Sequence, residues 1–259
     1  MSHIRVHNHE NTMSIVLDRA DKRNALTRSM LSELQQAFHD ANMQKSARAV
    51  ILSGSGTAFC AGMDLAEMLE TKDQPNAYEL WERDARAYRE LVETMLRFPK
   101  PIVAAVNGPA VAGGAGLALA SDVVVAADTA TFGLPEPRRG IVAGLVAPLL
   151  HFRTGGAVAA YLLLTAKTIT ATEAHRVGIF QEVVLDDQVW VRANEVATQC
   201  AASAPQALLM TKRMLNETIG HDMLTMLAAG AAASSAARTT EAAEEGLRAF
   251  LEKREPMWS

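Results

Sequence analysis

Cysteine is nearly absent. Cys60 and Cys200 are the only two in 259 residues, and neither stands in a paired-cysteine motif. A disulfide framework is therefore not expected, and a reducing, cytoplasmic setting is. Aromatic residues make up only 5% of the chain. Long apolar runs are missing too: the longest contain Gly or Pro or flank charges, so no membrane span is expected. The N-terminal stretch carries His3, Arg5, His7 and His9 rather than an apolar run, and no secretory signal is expected there. Nor is there an excess of basic charge. Lys and Arg number 25 against 29 Asp and Glu, a formal net charge of −4, which offers neither a field for nucleic acid nor a cationic face for a membrane. What the chain does have is apolar content, 49%, and abundant Ala, which suits helices packed tightly against a sheet. Its length allows one large domain or two small ones.

Along the chain, residues 4–9 and 12–17 read as two strands of a hairpin, followed by a charged loop at 18–24. Thr27 is a suitable N-cap for a helix that places Met30, Leu31, Leu34, Phe38 and Ala41 on one face. Residues 49–52 form a buried strand broken by a glycine turn at 53–56. Asp64 is a candidate cap of the next helix, 70–76 reads as a polar loop, and 80–96 as a helix ending before Pro99 and Pro101. Strands are expected at 102–106, 123–127 and 182–185, with a loop at 107–114 and helical composition over 114–121. From Leu145 the chain turns helical, with Thr170 and Glu173 as a capping-box pair and Gly178 as a helix stop. Residues 187–253 read as consecutive Ala-rich helices. Strands alternating with helices early, and helices alone late, predict a mixed α/β core with a C-terminal helical layer. The organisation expected is a core over 1–186 and a helical region over 187–259 within one domain, since no composition break separates them.

Two loops, each after a buried strand, are rich in small residues: Ala58-Phe59-Cys60-Ala61-Gly62-Met63-Asp64, and 107–116, which contains Gly108, Gly113, Gly114 and Gly116. Glycine lets backbone approach a ligand closely, and free N–H groups at a helix start favour negative charge. Two such loops side by side could present two N–H groups to one developing oxyanion. Either loop alone is explained as well by tight turns. The second is not a dinucleotide fingerprint, because Gly116 is followed by Leu117, Ala118 and Leu119 with no third glycine, and it lacks the Gly-Lys-Ser/Thr ending of a P-loop.

Six segments then stand in a fixed order: Asn24-Ala25-Leu26; Ala49-Val50-Ile51-Leu52-Ser53-Gly54 leading to Phe59-Cys60-Ala61-Gly62-Met63-Asp64-Leu65; Lys100-Pro101-Ile102-Val103-Ala104-Ala105-Val106-Asn107-Gly108; Phe132-Gly133-Leu134-Pro135-Glu136; Gly140-Ile141; and a tail from Glu245 to Arg254. In that order and spacing the chain resembles the enoyl-CoA hydratase/isomerase (crotonase) superfamily along nearly its whole length. The resemblance implies a spiral of ββα units with two roughly perpendicular sheets, followed by the helical region. It implies that the backbone N–H groups of Met63 and Gly113 form an oxyanion hole, a role in which the Met63 side chain is immaterial. It also implies an acyl-CoA site drawing on Lys22, Arg23, Ala25, Ala61, Asp64 and Leu65. Lys22 and Arg23 would meet the CoA phosphates, although a solvated loop accounts for them nearly as well, and Asp64 serves a helix cap better than a substrate. Phe250 and Lys253 would reach a CoA site, their own or a neighbour's. No metal is implied, and no cofactor beyond the CoA that the substrate carries.

Two-carboxylate hydratases of this superfamily carry one Glu in the second glycine loop, where this chain has Gly116, and another in the Pro-Glu segment, here Glu136. Aroyl-CoA dehalogenases carry a nucleophilic Asp four residues beyond the glycine matching Gly140, where this chain has Gly144, so displacement by a carboxylate is not expected. Glu136 is left as the one matched acid–base group, unless it merely pairs with Arg138 or Arg139. A buried carboxyl can be tuned toward neutral pH. One carboxylate suffices for a double-bond isomerase, and also for a hydratase in which it activates water and then protonates the α-carbon. The stretch 113–117 and the ungapped 140–155 resemble branched-chain enoyl-CoA hydratases that lack the first Glu. The readings carried forward are an enoyl-CoA hydratase, a 3,2-enoyl-CoA isomerase, and a non-catalytic acyl-CoA-binding protein of the same fold. The acyl pocket is expected to draw on 78–96 and 145–152.

Other groups carry less. His7 and His9 share a strand face without a third metal ligand, His151 and His175 lie in helical segments, and neither Ser53 nor Ser55 sits in a nucleophile elbow. The superfamily's habit and the Ala-rich helices imply a homotrimer or a dimer of trimers.

Overall fold

The computed structural model describes residues 2–258. Strands β1 (Ile4–Asn8) and β2 (Thr12–Leu17) form the expected hairpin, with His9 in the turn. Helix α1 (Arg28–Met43) starts where Thr27 accepts the Met30 N–H. Its inward stripe is Met30, Leu31, Leu34, Ala37, Phe38 and Ala41, a 3.6-residue period burying one face. Then follow β3 (Ala49–Gly54), α2 (Leu65–Lys72), α3 (Ala77–Arg97), β4 (Ile102–Val106), β5 (Ala110–Val111), α4 (Gly113–Ala120), β6 (Val123–Ala127) and β7 (Thr131–Gly133). After a 3-10 turn at Glu136–Arg139 come α5 (Ala147–Thr154), α6 (Gly156–Thr165), β8 (Thr168–Thr170), α7 (Ala171–Arg176) and β9 (Glu182–Val184). The chain ends in α8 (Val189–Ala201), α9 (Pro205–Arg213), a π-helical turn (Met214–Ile219), α10 (His221–Ala237) and α11 (Glu241–Leu251).

Two sheets result. The larger runs β1-β2-β3-β4-β6-β9, parallel except for the hairpin, and the smaller runs β5-β7-β8. Helix α8 packs on the larger sheet and α10 on α3. One apolar cluster takes in Val50 and Ile51 of β3, Val103 of β4, Ala193 and Ala197 of α8, and Leu227 of α10. The C-terminal helices therefore share the core of the strands. The capping box at Thr170 and Glu173 is formed, and Gly178 has φ +83° beyond the end of α7.

Two expectations need correction. Residues 70–72 are not loop: they complete α2, where Met68 and Thr71 are buried three residues apart and Lys72 reaches Glu244 of α11. The stretch 107–114 is not all loop either. Ala110–Val111 pairs in parallel with Phe132–Gly133, which in turn pairs with Thr168–Thr170. Strands of two or three residues are too short to show an alternating pattern, and only their partners define them. Among the described residues no helix is long and apolar enough to cross a membrane.

Candidate functional site

The two small-residue loops are joined through Cys60. Its N–H donates to the Pro109 carbonyl, and its own carbonyl accepts the Val111 N–H, both near 3 Å. A Cβ at Gly114 would overlap the Cys60 carbonyl, so that contact demands glycine. The thiol is buried and pushed up to about 12 by desolvation, which removes it as a nucleophile and leaves it a packing role. On the other side, the 22–26 loop is bonded to the same segment. Ala61 N–H donates to the Arg23 carbonyl, Leu26 N–H to Gly62 and Asp64 N–H to Leu26.

Among the amides that this stitching leaves unpaired are those of Met63 and Gly113. Neither the Met63 N–H nor the Gly113 N–H donates to an acceptor among the described residues. They are neighbours, since a Cβ at Gly113 would lie 3.7 Å from the Met63 nitrogen. Gly113 opens α4, and Ala112 before it holds φ 52° and ψ −122°. That conformation is costly for a residue with a Cβ, about 1–3 kcal/mol, and backbone strain of this kind tends to gather at functional sites. Two free N–H groups side by side, one at a helix start, can donate to a single anionic oxygen.

They open onto a cleft with an empty volume of about 690 Å³, part of it open solvent. Glu136 lines the same cleft from the 3-10 turn. That turn is clamped by α11, because a Cβ at Gly140 would overlap the Ala242 carbonyl and one at Gly246 would overlap Arg139. Glu136 is 7% exposed, and its buried Oε2 has no hydrogen-bond partner. Pairing with Arg138 or Arg139 is not what holds it, as no ion pair joins it to either among the described residues. Burial raises its pKa to about 7, against the smaller opposing pull of its own backbone N–H and the Arg139 charge.

The expected residues divide by position. Met63, Gly113, Glu136, Ala61 and Leu65 share the cleft. Lys22, Arg23 and Ala25 lie on the loop bonded to Ala61 and Gly62. Lys22 and Arg23 are exposed and free of ion pairs among the described residues. Asp64 is not among the cleft residues. It caps α2 by accepting from Ala66 and Glu67 and binds Arg19 at 2.6 Å, so its carboxylate is taken up within the fold. Phe250 stacks beneath the Arg139 guanidinium, 4.0 Å from its ring centre, while Lys253 lies exposed just past α11 with φ 56°. The segments 78–96 and 145–152 contribute Asp84, Ala85, Tyr88, Leu145 and Val146 to the cleft.

Tyr88, Asp84 and Arg238 escaped the sequence reading. Tyr88 falls on the buried stripe of α3 with Trp81, Ala85 and Leu91 and reads as core. Its buried hydroxyl donates to the Gly113 carbonyl at 2.5 Å, and burial drives its pKa upward. The carboxylate Asp84 on that apolar stripe was the available signal. At Gly144, a Cβ would overlap the Gly230 carbonyl and come 2.9 Å from Ser234 Oγ, so no nucleophilic side chain fits there.

Comparison with known proteins identifies the family. The family model for enoyl-CoA hydratase/isomerase matches residues 7–259. A putative enoyl-CoA hydratase of Thermus thermophilus is 39% identical over 93% of this chain and 95% of its own length. A protein of Escherichia coli named 2,3-dehydroadipyl-CoA hydratase is 32% identical over 99% and 98%. The solved structure of an enoyl-CoA hydratase/isomerase from Xanthobacter autotrophicus Py2 superposes with a TM-score of 0.89 at 30% identity, covering 98% of this chain and 97% of that one.

Proposed function

The chain belongs to the enoyl-CoA hydratase/isomerase family, and we propose that within it this protein is a hydratase of 2-enoyl-CoA thioesters that works with one carboxylate. The observation that carries the reading is the single free carboxyl in the cleft, Glu136, facing the same space as the unpaired amides of Met63 and Gly113. Asp84, the other carboxylate there, is held on both oxygens by Arg28.

In this mechanism the thioester oxygen accepts from Met63 and Gly113. The Glu136 carboxylate takes a proton from water as the water oxygen bonds to the β-carbon, and the electron pair of the double bond moves onto the thioester as an enolate. Glu136 then returns the proton to the α-carbon, regenerating its carboxylate. Both new bonds form on the face that Glu136 occupies. The oxyanion donors act on charge that exists only after addition begins, which is where hydrogen bonding lowers a barrier. Lys22 and Arg23, exposed beside the oxyanion segment, are suited to the CoA phosphates.

A second reading, 3,2-enoyl-CoA isomerase, is favoured by the same lone carboxyl, because a proton shuttle between two carbons needs only one. Hydration stands first because relatives over the whole length are named hydratases. A non-catalytic acyl-CoA binder is disfavoured by a carboxyl tuned to about 7. Offering crotonyl-CoA and a 3-enoyl-CoA separates the three. Loss of conjugated thioester absorbance from crotonyl-CoA marks the hydratase, its appearance from the 3-enoyl ester marks the isomerase, and saturable binding with neither change marks the binder.

Assembly as a homotrimer or dimer of trimers is part of the proposal. Met210, Met214, Leu215, Ile219 and Met226 are exposed along the C-terminal helices, suited to subunit contact. A monomer in light scattering at micromolar concentration would contradict it.

A further inference from the structure

The cleft contains a cation that the mechanism above does not use. Arg238, just past the end of α10, lines it with Asp84 and Ser234. Its side chain is only 9% exposed, and Nη1 is buried with no hydrogen-bond partner. The nearest carboxylate, Asp84, is 4.0 Å away, beyond hydrogen-bonding distance. Asp84 is already engaged: Arg28 donates from Nε to Oδ1 at 2.6 Å and from Nη2 to Oδ2 at 2.8 Å. Arg28 is fixed in turn by Thr71 at 2.6 Å. Two guanidinium groups thus share one carboxylate; Glu67 and Glu70 add their charge to Arg28, while Asp84 is the only carboxylate among the described residues whose field reaches Arg238. Glu136 does not supply the balance, since the arginine whose field reaches it is Arg139. Burial lowers the Arg238 pKa only to about 10, so it stays charged at neutral pH.

A buried guanidinium with unfilled donors is expensive to maintain unless something completes it. Water could do so in the free protein, and an alkyl chain pushed into the cleft would displace that water and offer nothing in return. We propose that Arg238 is a specificity residue for the acyl group, and that the substrates this cleft takes are enoyl-CoA thioesters whose acyl chain ends in a carboxylate. The planar guanidinium fork matches a carboxylate in two parallel hydrogen bonds. This rests on the hydratase reading for the chemistry, but the anion subsite is a binding property and is measured separately from turnover.

The test compares 2-hexenedioyl-CoA with 2-hexenoyl-CoA, which differ only in the terminal carboxylate, on the full-length protein and its Arg238→Met and Arg238→Lys variants. The wild type should favour the diacid ester in kcat/KM by at least about 10²-fold, in keeping with sites whose buried polar groups are left unpaired by the wrong substrate. Arg238→Met should lower kcat/KM for the diacid by about 10²–10³-fold, the size of losing one partner of a buried ion pair, and erase the preference. Arg238→Lys should retain part of it. Calorimetric binding of the saturated hexanedioyl-CoA and hexanoyl-CoA covers the case in which neither enoyl ester is turned over. An Arg238-dependent preference in binding would then uphold the subsite while the hydratase reading fell. A wild type that is indifferent or prefers the alkyl chain in both assays overturns the proposal, and so does an Arg238→Met variant that weakens both esters equally. Should Arg238→Met fail to fold, the wild-type ratio and Arg238→Lys still decide.

Discussion

The hydroxyl of Tyr88 fills the space in which a side chain at position 116 would begin: a Cβ placed on Gly116 would overlap it and would also approach Val146 Cγ2 to 3.1 Å. A tyrosine from α3 thus takes the room that a glutamate at position 116 of α4 would need. Gly116→Glu alone should not create a two-carboxylate site. It should destabilise the fold by at least the 1–3 kcal/mol typical of overpacking, read as a lower melting temperature. Pairing it with Tyr88→Ala should relieve the overlap, so that the double variant is more stable than the sum of the two single losses predicts, although the Tyr88 packing and its bond to Gly113 are forfeited. Equal melting temperatures for Gly116→Glu and the wild type would show that the Tyr88 ring is not fixed there.

Tyr88→Phe isolates the hydrogen bond from the packing. The Gly113 carbonyl, which opens the α4 ladder, loses its side-chain donor at 2.5 Å, a loss of about 0.5–1.5 kcal/mol. Because the same residue supplies a proposed oxyanion donor, kcat should fall more than binding of a saturated acyl-CoA weakens. A change in stability with kcat untouched would confine Tyr88 to packing.

Glu136→Gln is nearly isosteric and cannot act as a base, so turnover should drop by about 10²–10⁴-fold while acyl-CoA binding persists. Met63→Ala should do far less, because its N–H remains. Gly113→Pro should be severe, since it deletes one donor, worth about 10²–10³-fold, at the start of α4. Single-turnover kinetics alongside ligand titration separate loss of chemistry from loss of binding. Near-normal kcat in a folded Glu136→Gln enzyme would remove Glu136 from the mechanism.

Much of the fold was legible because it rests on local patterns. The α1 stripe from Met30 to Ala41, the Thr27 and Asp64 caps and the Thr170–Glu173 box all declare themselves within a few residues. The small sheet did not, because Ala110–Val111 becomes a strand only when Phe132–Gly133 lies beside it. The candidate site divides in the same way. Loop glycines and the Pro135-Glu136 pair stand in short motifs. Tyr88 and Arg238 gain meaning only from helices α3 and α10 meeting across the cleft, a long-range contact that no local periodicity encodes.

The last prediction concerns the cost of keeping Glu136 near neutrality. Its folded-state pKa is raised from 4.5 to about 7 by burial, the reverse of the usual carboxylate case. Between those values the native state binds a proton that the unfolded chain has released, so stability falls as pH rises through that window and levels off above it. The full difference is about 3 kcal/mol at 1.36 kcal/mol per pH unit. Activity should move the other way: as a base, Glu136 must be ionised, so kcat/KM should rise with pH and half-saturate near 7. Glu136→Gln never ionises. Its stability relative to wild type should therefore increase from pH 4.5 to 8 by up to about 3 kcal/mol, visible in denaturant titrations at each pH. The enzyme would lose catalysis and gain stability over one pH range, through one group. A stability difference between the two proteins that stays flat across that range would mean that Glu136 ionises as an ordinary solvated carboxyl, and the proposed tuning of the base would fall with it.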